Sequence, residues 1–299
     1  MAANLDTVRE RTRTRFEAGD FGGSLQAAEE GLRAAPDDVE LLVLAGRAGV
    51  EVGAPDAVEH LRRATRLAPD NAGAWHHLGE ALATEGRTEE ADSAFRRAVE
   101  LDPDDQVALT HLGHTSLATG RREESLEYLE RAADSIHGAS TAMFSLVDMY
   151  RSFGQFADAL TQARRVVHAL PDDIPAWLDV AELSLLVGEL DEARGAFERL
   201  RELDDVPGHE AYPLHGLIQV EIRAEQWRRA AELAAQAAAI DPHGLSTDVA
   251  AFLHDQTTGS SDEPAPTRDE VENALDASLA EYRGIVADDR RLGGGEIFG

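Results

Sequence analysis

Between Trp75 and Pro103 apolar and small residues recur at helical spacing. Trp75, Leu78, Gly79 and Leu82 share one helix face, Gly86 interrupts it, and Ala91, Phe95 and Ala98 mark a second helix that stops at Pro103. The same skeleton returns along the chain. The unit-closing prolines are Pro36, Pro69, Pro103, Pro171 and Pro242, separated by 33, 34, 68 and 71 residues. The third gap is two units, with His137 where the middle proline falls, and the fourth is two units plus three residues around 204–209. This register predicts seven helix pairs, at about 5–37, 38–71, 72–105, 106–139, 140–173, 174–209 and 210–243. A helical repeat of this period predicts a stacked solenoid, in which each unit buries its apolar face on its neighbours.

Each unit repeats its internal chemistry. A glycine sits at the mid-unit turn (Gly19, Gly53, Gly86, Gly120, Gly154, Gly188), where a left-handed helix stop needs no Cβ. A small residue opens each second helix, Ser24, Ala57, Ala91, Ser125, Ala159, Ala193 or Ala230, and lets it approach its partner. Four residues on, Leu61, Phe95, Leu129 or Phe197 falls on the same face. The acids after the closing prolines lie near the start of the next helix, where its dipole favours negative charge.

The set Trp75, Leu78, Gly79, Ala91, Phe95, Ala98 and Pro103 resembles the tetratricopeptide repeat consensus, as do Trp177, Ala181, Ala193 and Phe197, and Tyr150, Gly154, Ala159 and Pro171. Unit one carries Arg11 and Thr12 where a Leu–small pair is expected, and unit seven has Gln226 and Trp227 at the turn in place of glycine. The resemblance covers about residues 5–243. It implies an all-α, right-handed α-solenoid superhelix of about seven helix pairs, with first helices lining a concave face that holds ligands.

Beyond Pro242 the pattern changes. Residues 245–253 are expected to form a capping helix, which completes a solenoid of 1–254. Residues 255–266 have linker composition. Thr267 and Glu270 offer a capping-box start. Val271, Leu275, Leu279, Tyr282 and Val286 form one stripe on a helix of about 268–287, within an amphipathic segment of 267–288. This stripe is a fold-back or docking element, either on the repeats or on another protein. Residues 289–299 read as a flexible Gly-rich tail.

The formal charge is −29, and all 28 basic residues are arginine. Such a surface repels phosphate backbones and anionic membranes, so neither is an expected partner. The chain has no cysteine, which excludes disulfides and thiolate metal sites. No run approaches the roughly 18 apolar residues of a membrane span, the first 15 residues do not read as a signal peptide, and a cytoplasmic location is expected.

Catalytic signatures are missing. There is no nucleophile elbow, phosphate loop or dinucleotide fingerprint, and the acid pairs Asp104–Asp105 and Asp172–Asp173 sit at repeat junctions, where helix capping explains them. A non-enzymatic adaptor is therefore expected, with no cofactor. The family register points His76, Glu80, Thr110, His114, Phe144, Asp148, Arg151, Leu178, Glu182, Tyr212, His215 and Gln219 into the groove. Within each helix these residues lie three or four apart, on one face. Their mix of acids, histidines and apolar anchors suits a basic or amphipathic segment of a protein partner. A peptide-binding regulatory sensor and a non-catalytic subunit of an enzyme complex are the alternatives. The Lys/Arg/Asn clamp of chaperone-tail-binding members has no counterpart, because lysine is missing and Asn4, Asn71 and Asn273 lie outside the groove. His76 and Glu80 have helical ligand spacing, but His77 and His111 are expected to turn toward neighbouring helices, so no metal site is expected.

Overall fold

A computed structural model describes residues 5–134, 140–204, 206, 209–240, 249–250, 252–254, 256 and 266–293, without the side chains of Ser140 and of 288–293. Two compact units divide the chain, Met1–Ala142 and Met143–Gly299. Among the described residues every regular element is an α-helix.

The first unit holds four helix pairs: α1 (Leu5–Glu17) with α2 (Phe21–Ala34), α3 (Val39–Glu51) with α4 (Ala57–Leu67), α5 (Ala72–Thr84) with α6 (Thr88–Leu101), and α7 (Gln106–Ala118) with α8 (Arg122–Asp134). Each helix packs on the next, and the first helices α1, α3 and α5 also touch one another in turn. The second unit continues with α9 (Ser140–Ser152, its first turn at the boundary), α10 (Phe156–Ala169), α11 (Ile174–Val187), α12 (Leu190–Leu203), α13 (Ala211–Arg223), α14 (Trp227–Ile240) and α15 (Arg268–Gly293).

The junctions follow from local chemistry. Two residues after a closing proline, Asp38, Asn71, Asp105 and Asp173 cap the next helix by accepting from the N–H groups of Leu41, Ala74, Ala108 and Ala176. Each satisfies an amide that the helix leaves open, worth about 1 kcal/mol. Trp75 and Trp177 donate their indole N–H to the carbonyls of Pro69 and Pro171, at 3.0 and 2.8 Å, which ties each first helix back to the preceding turn. The six mid-unit glycines all have φ between 67° and 84°, and in the seventh pair Glu225 takes the same left-handed role at φ 57°.

Within a pair, a glycine of the first helix faces the bulky residue of the second. A Cβ on Gly79 would lie 2.7 Å from the Phe95 ring, and one on Gly46 or Gly113 would strike Leu61 or Leu129. Ser24 and Ser125 donate to the carbonyls of Thr12 and Gly113, so the small opening residue of a second helix also hydrogen-bonds across the pair.

The helix expected to end near 287 continues to Gly293, so it takes up part of the segment expected to be a flexible tail. Its start is a reciprocal capping box: the Thr267 N–H donates to Glu270 Oε2 at 2.8 Å, and the Glu270 N–H to Thr267 Oγ1 at 3.3 Å. Of the expected capping helix, residues 245–248 lie outside the described residues. Residues 249–250 and 252–254 are helical, Val249, Phe252 and Leu253 are buried, and the Phe252 ring meets Trp227 at 6.0 Å.

Candidate functional site

In the second unit α15 lies across α11 and α13, the first helices of two successive pairs. Its stripe Val271, Leu275, Leu279, Tyr282 and Val286 is buried throughout, at 6% exposure or less. Each such residue contributes roughly 1.5–3 kcal/mol of hydrophobic stabilisation. Tyr282 stacks on Tyr212 with 5.0 Å between centroids and 11° between planes, and its hydroxyl donates to Asp204, which also holds His209 at 3.0 Å. Burial together with this carboxylate pushes the Tyr282 phenol above its usual value.

Polar contacts run the length of this interface. His215 Nδ1 is hydrogen-bonded to Ser278 Oγ at 2.7 Å, Gln219 donates to the Asp276 carboxylate, and Arg223 faces Glu272 at 3.7 Å. Near the other end Arg283 donates to Asp179 at 2.8 Å and to Glu182 at 3.0 Å. Arg151 of α9 donates to the same two acids, at 2.8 and 2.9 Å. Two guanidinium groups thus share one pair of carboxylates.

In the first unit α5 and α7 bring together a histidine cluster. Glu80 Oε1 lies 3.3 Å from His76 Nε2 and 3.7 Å from His111 Nε2, and Glu80 Oε2 lies 2.7 Å from His77 Nδ1. The other ring nitrogen of His76 meets Asp105 at 3.1 Å. Burial opposes protonation of His76, but its hydrogen bonds to Asp105 and Glu80 outweigh that and raise its pKa to about 9. Burial likewise disfavours the Glu80 carboxylate, and the contacts with His76 and His77 overcome this and hold it well below the usual carboxylate range. Burial lowers both His77 and His111.

Two tetratricopeptide repeat family models match, one at residues 53–106 and 146–210 and the other at 82–147. Together they span 53–210 without a break, just over half of the sequence. The chain is a tetratricopeptide repeat protein. No curated protein matches it. Solved structures with the same fold include the C-terminal part of a tetratricopeptide protein from Cytophaga hutchinsonii (TM-score 0.64, 14% identity, 81% of this chain and 98% of that one). A tetratricopeptide protein from Parabacteroides merdae has a TM-score of 0.53 at 14% identity, over 84% of this chain and 98% of that one. YrrB, described as a tetratricopeptide protein with an unusual peptide-binding site, has a TM-score of 0.53 at 22% identity, over 67% of this chain and 99% of that one. As a member of this family the chain is a protein–protein interaction scaffold. No helix among the described residues is long and apolar enough to cross a membrane.

Within this tetratricopeptide protein the twelve groove candidates have different surroundings. Leu178 is fully buried, and Thr110 is buried with its hydroxyl donating to the Gln106 carbonyl of its own helix. In the first unit His76 and Glu80 belong to the histidine cluster, while His114 is exposed. In the second, Arg151, Glu182, Tyr212, His215 and Gln219 lie on or beside the face that α15 covers, Phe144 is half-buried and Asp148 exposed. Sequence reasoning missed Asp179, although it lies three residues from Glu182 and so shares its face. It also missed Arg283 and Asp204, for which no local signal exists. His77 and His111, expected to turn away, converge on Glu80.

Proposed function

We propose that the α11–α13 face of the second unit is a docking face for an amphipathic helical segment of a protein partner, carrying an arginine beside its apolar stripe, and that α15 occupies this face in the resting chain. The shared acid pair carries the reading. Removing one partner of a buried ion pair strands a charge at a cost of about 3–5 kcal/mol. Here Arg151 keeps Asp179 and Glu182 compensated when Arg283 leaves, so exchange of the helix avoids that penalty. The polar contacts of His215, Gln219 and Arg223 give the interface the mixed character of separable surfaces. Because α15 belongs to the same chain as the face it covers, a partner must compete with an intramolecular occupant. The net charge of −29 favours a basic partner.

The test compares the full chain with Leu275→Asp, which places a charge in the stripe and releases α15. A labelled peptide of residues 266–293 is titrated into each. It should bind the released variant at least about tenfold more tightly, and Glu182→Arg in that background should abolish binding. A partner captured by the released variant should be displaced by the same peptide. A folded variant with exposed α15 amides that does not bind the peptide overturns the proposal.

A further inference from the structure

The histidine cluster of the first unit plays no part in helix docking, and its geometry suggests a separate role. We propose that His76, His77, Glu80 and His111 form a site for one zinc ion, with Asp105 as the carboxylate that orients His76. His76 Nε2, His77 Nδ1 and a Glu80 carboxylate oxygen all lie within 4.8 Å of one another. His111 Nε2 approaches this group from the neighbouring first helix, 3.7 Å from Glu80 Oε1. Zinc–nitrogen bonds of about 2.0–2.1 Å set the edge of a tetrahedron at about 3.3–3.4 Å. Glu80 Oε1 lies 3.3 Å from His76 Nε2 and 3.7 Å from His111 Nε2, on either side of that edge, and the His111 ring has to move toward His76 and His77 to complete the tetrahedron.

Two further features fit a metal. Asp105 holds the far nitrogen of His76, the carboxylate–histidine arrangement that fixes a metal-binding ring and raises its basicity. The His111 ring stacks on Phe95 at 5.1 Å and 10°, which sets its orientation. Three imidazoles and one carboxylate are donors that zinc takes in tetrahedral sites. The ion would join α5 to α7, two successive repeats, so its binding energy would add to the stability of the first unit.

The test is calorimetric titration of zinc into the chelator-stripped full chain. Saturable binding of one zinc per chain is expected, with a higher melting temperature and, on cobalt substitution, tetrahedral d–d absorption. Asp105→Asn retains a good helix cap while removing the charge behind His76, and should weaken binding roughly 10- to 100-fold. His77→Ala and His111→Ala remove ligands that are only partly buried and should weaken it further with helicity unchanged. His168→Ala, an exposed histidine of the other unit, should bind zinc as the parent does. Lack of saturable binding overturns the proposal, and so does equal affinity in the parent and the Asp105, His77 and His111 variants.

Discussion

At Glu225 the backbone adopts φ 57°, the conformation that glycine supplies at the other six mid-pair turns. A side chain in this region costs roughly 1–2 kcal/mol, and glycine gives back about 0.4–1 kcal/mol through its freer unfolded chain. Glu225→Gly is therefore expected to stabilise the second unit by about 0.5–1 kcal/mol, read from the denaturant midpoint at unchanged slope. An unchanged or lower midpoint would mean that the turn holds Glu225 without strain. The same scale shows what the sequence revealed. Gly79 and Phe95 stood out in the sequence, because a close approach of two helices needs a residue without Cβ opposite a large one, and both lie in one short repeat. The burial of Leu178 and Thr110 was not legible, because a helical face alone does not separate the open side of a first helix from its seams with neighbours. A first helix in a stack touches several others, and in α13 every residue from Pro213 to Ile222 is buried.

At the scale of elements, repeat boundaries were legible because caps and prolines act locally, whereas contacts that close over long stretches of chain were not. Arg283 meets Asp179 across 104 residues, and periodicity carries no record of such a pairing. The stripe on α15 announced a helix that needs cover without saying what covers it. The pinning of α1 on α3 is similar. Arg9 Nε donates to Asp38 Oδ2 at 3.0 Å, while Asp38 also caps α3. Burial opposes ionisation of Asp38, but the hydrogen bonds from Arg9 and the Leu41 N–H prevail, and its pKa falls below the usual value. A carboxylate depressed in the folded state contributes stability that is fully present above its unfolded pKa and is lost as pH falls through the folded one. Asp38→Asn keeps the cap and removes the ion pair. Its destabilisation should be full at neutral pH and should shrink as pH drops below the ordinary aspartate range near 3.9. Denaturant midpoints measured across that range check the sign, and a deficit independent of pH would assign the loss to capping or packing alone.

For the whole molecule, charge imbalance decides how the medium acts. With 57 acids against 28 arginines, at least 29 carboxylates lack a basic side chain of their own even if every arginine were paired one to one. Many arginines do form pairs, such as Arg63 with Asp37 and Arg164 with Glu192, but these are largely solvent-exposed. Exposed pairs are worth about 0–1 kcal/mol each, and salt screens them as it screens the repulsion between unmatched acids. The two effects oppose each other, and the excess of acids sets the sign. The screening length falls from about 30 Å at 0.01 M salt to about 3 Å at 1 M, so repulsion across a helix pair is removed first and adjacent ion pairs persist longest. The melting temperature of the full chain should therefore rise from low to high sodium chloride, most steeply at the low end. Sucrose, which stabilises by exclusion from the surface and does not screen charge, separates the two causes: it should give no steep early rise. A falling melting temperature in sodium chloride would mean that the arginine pairs outweigh the acid excess. The same repulsion bears on docking, because a basic segment that binds the second unit offsets part of the excess. Its affinity should decline with salt while the stability of the free chain grows.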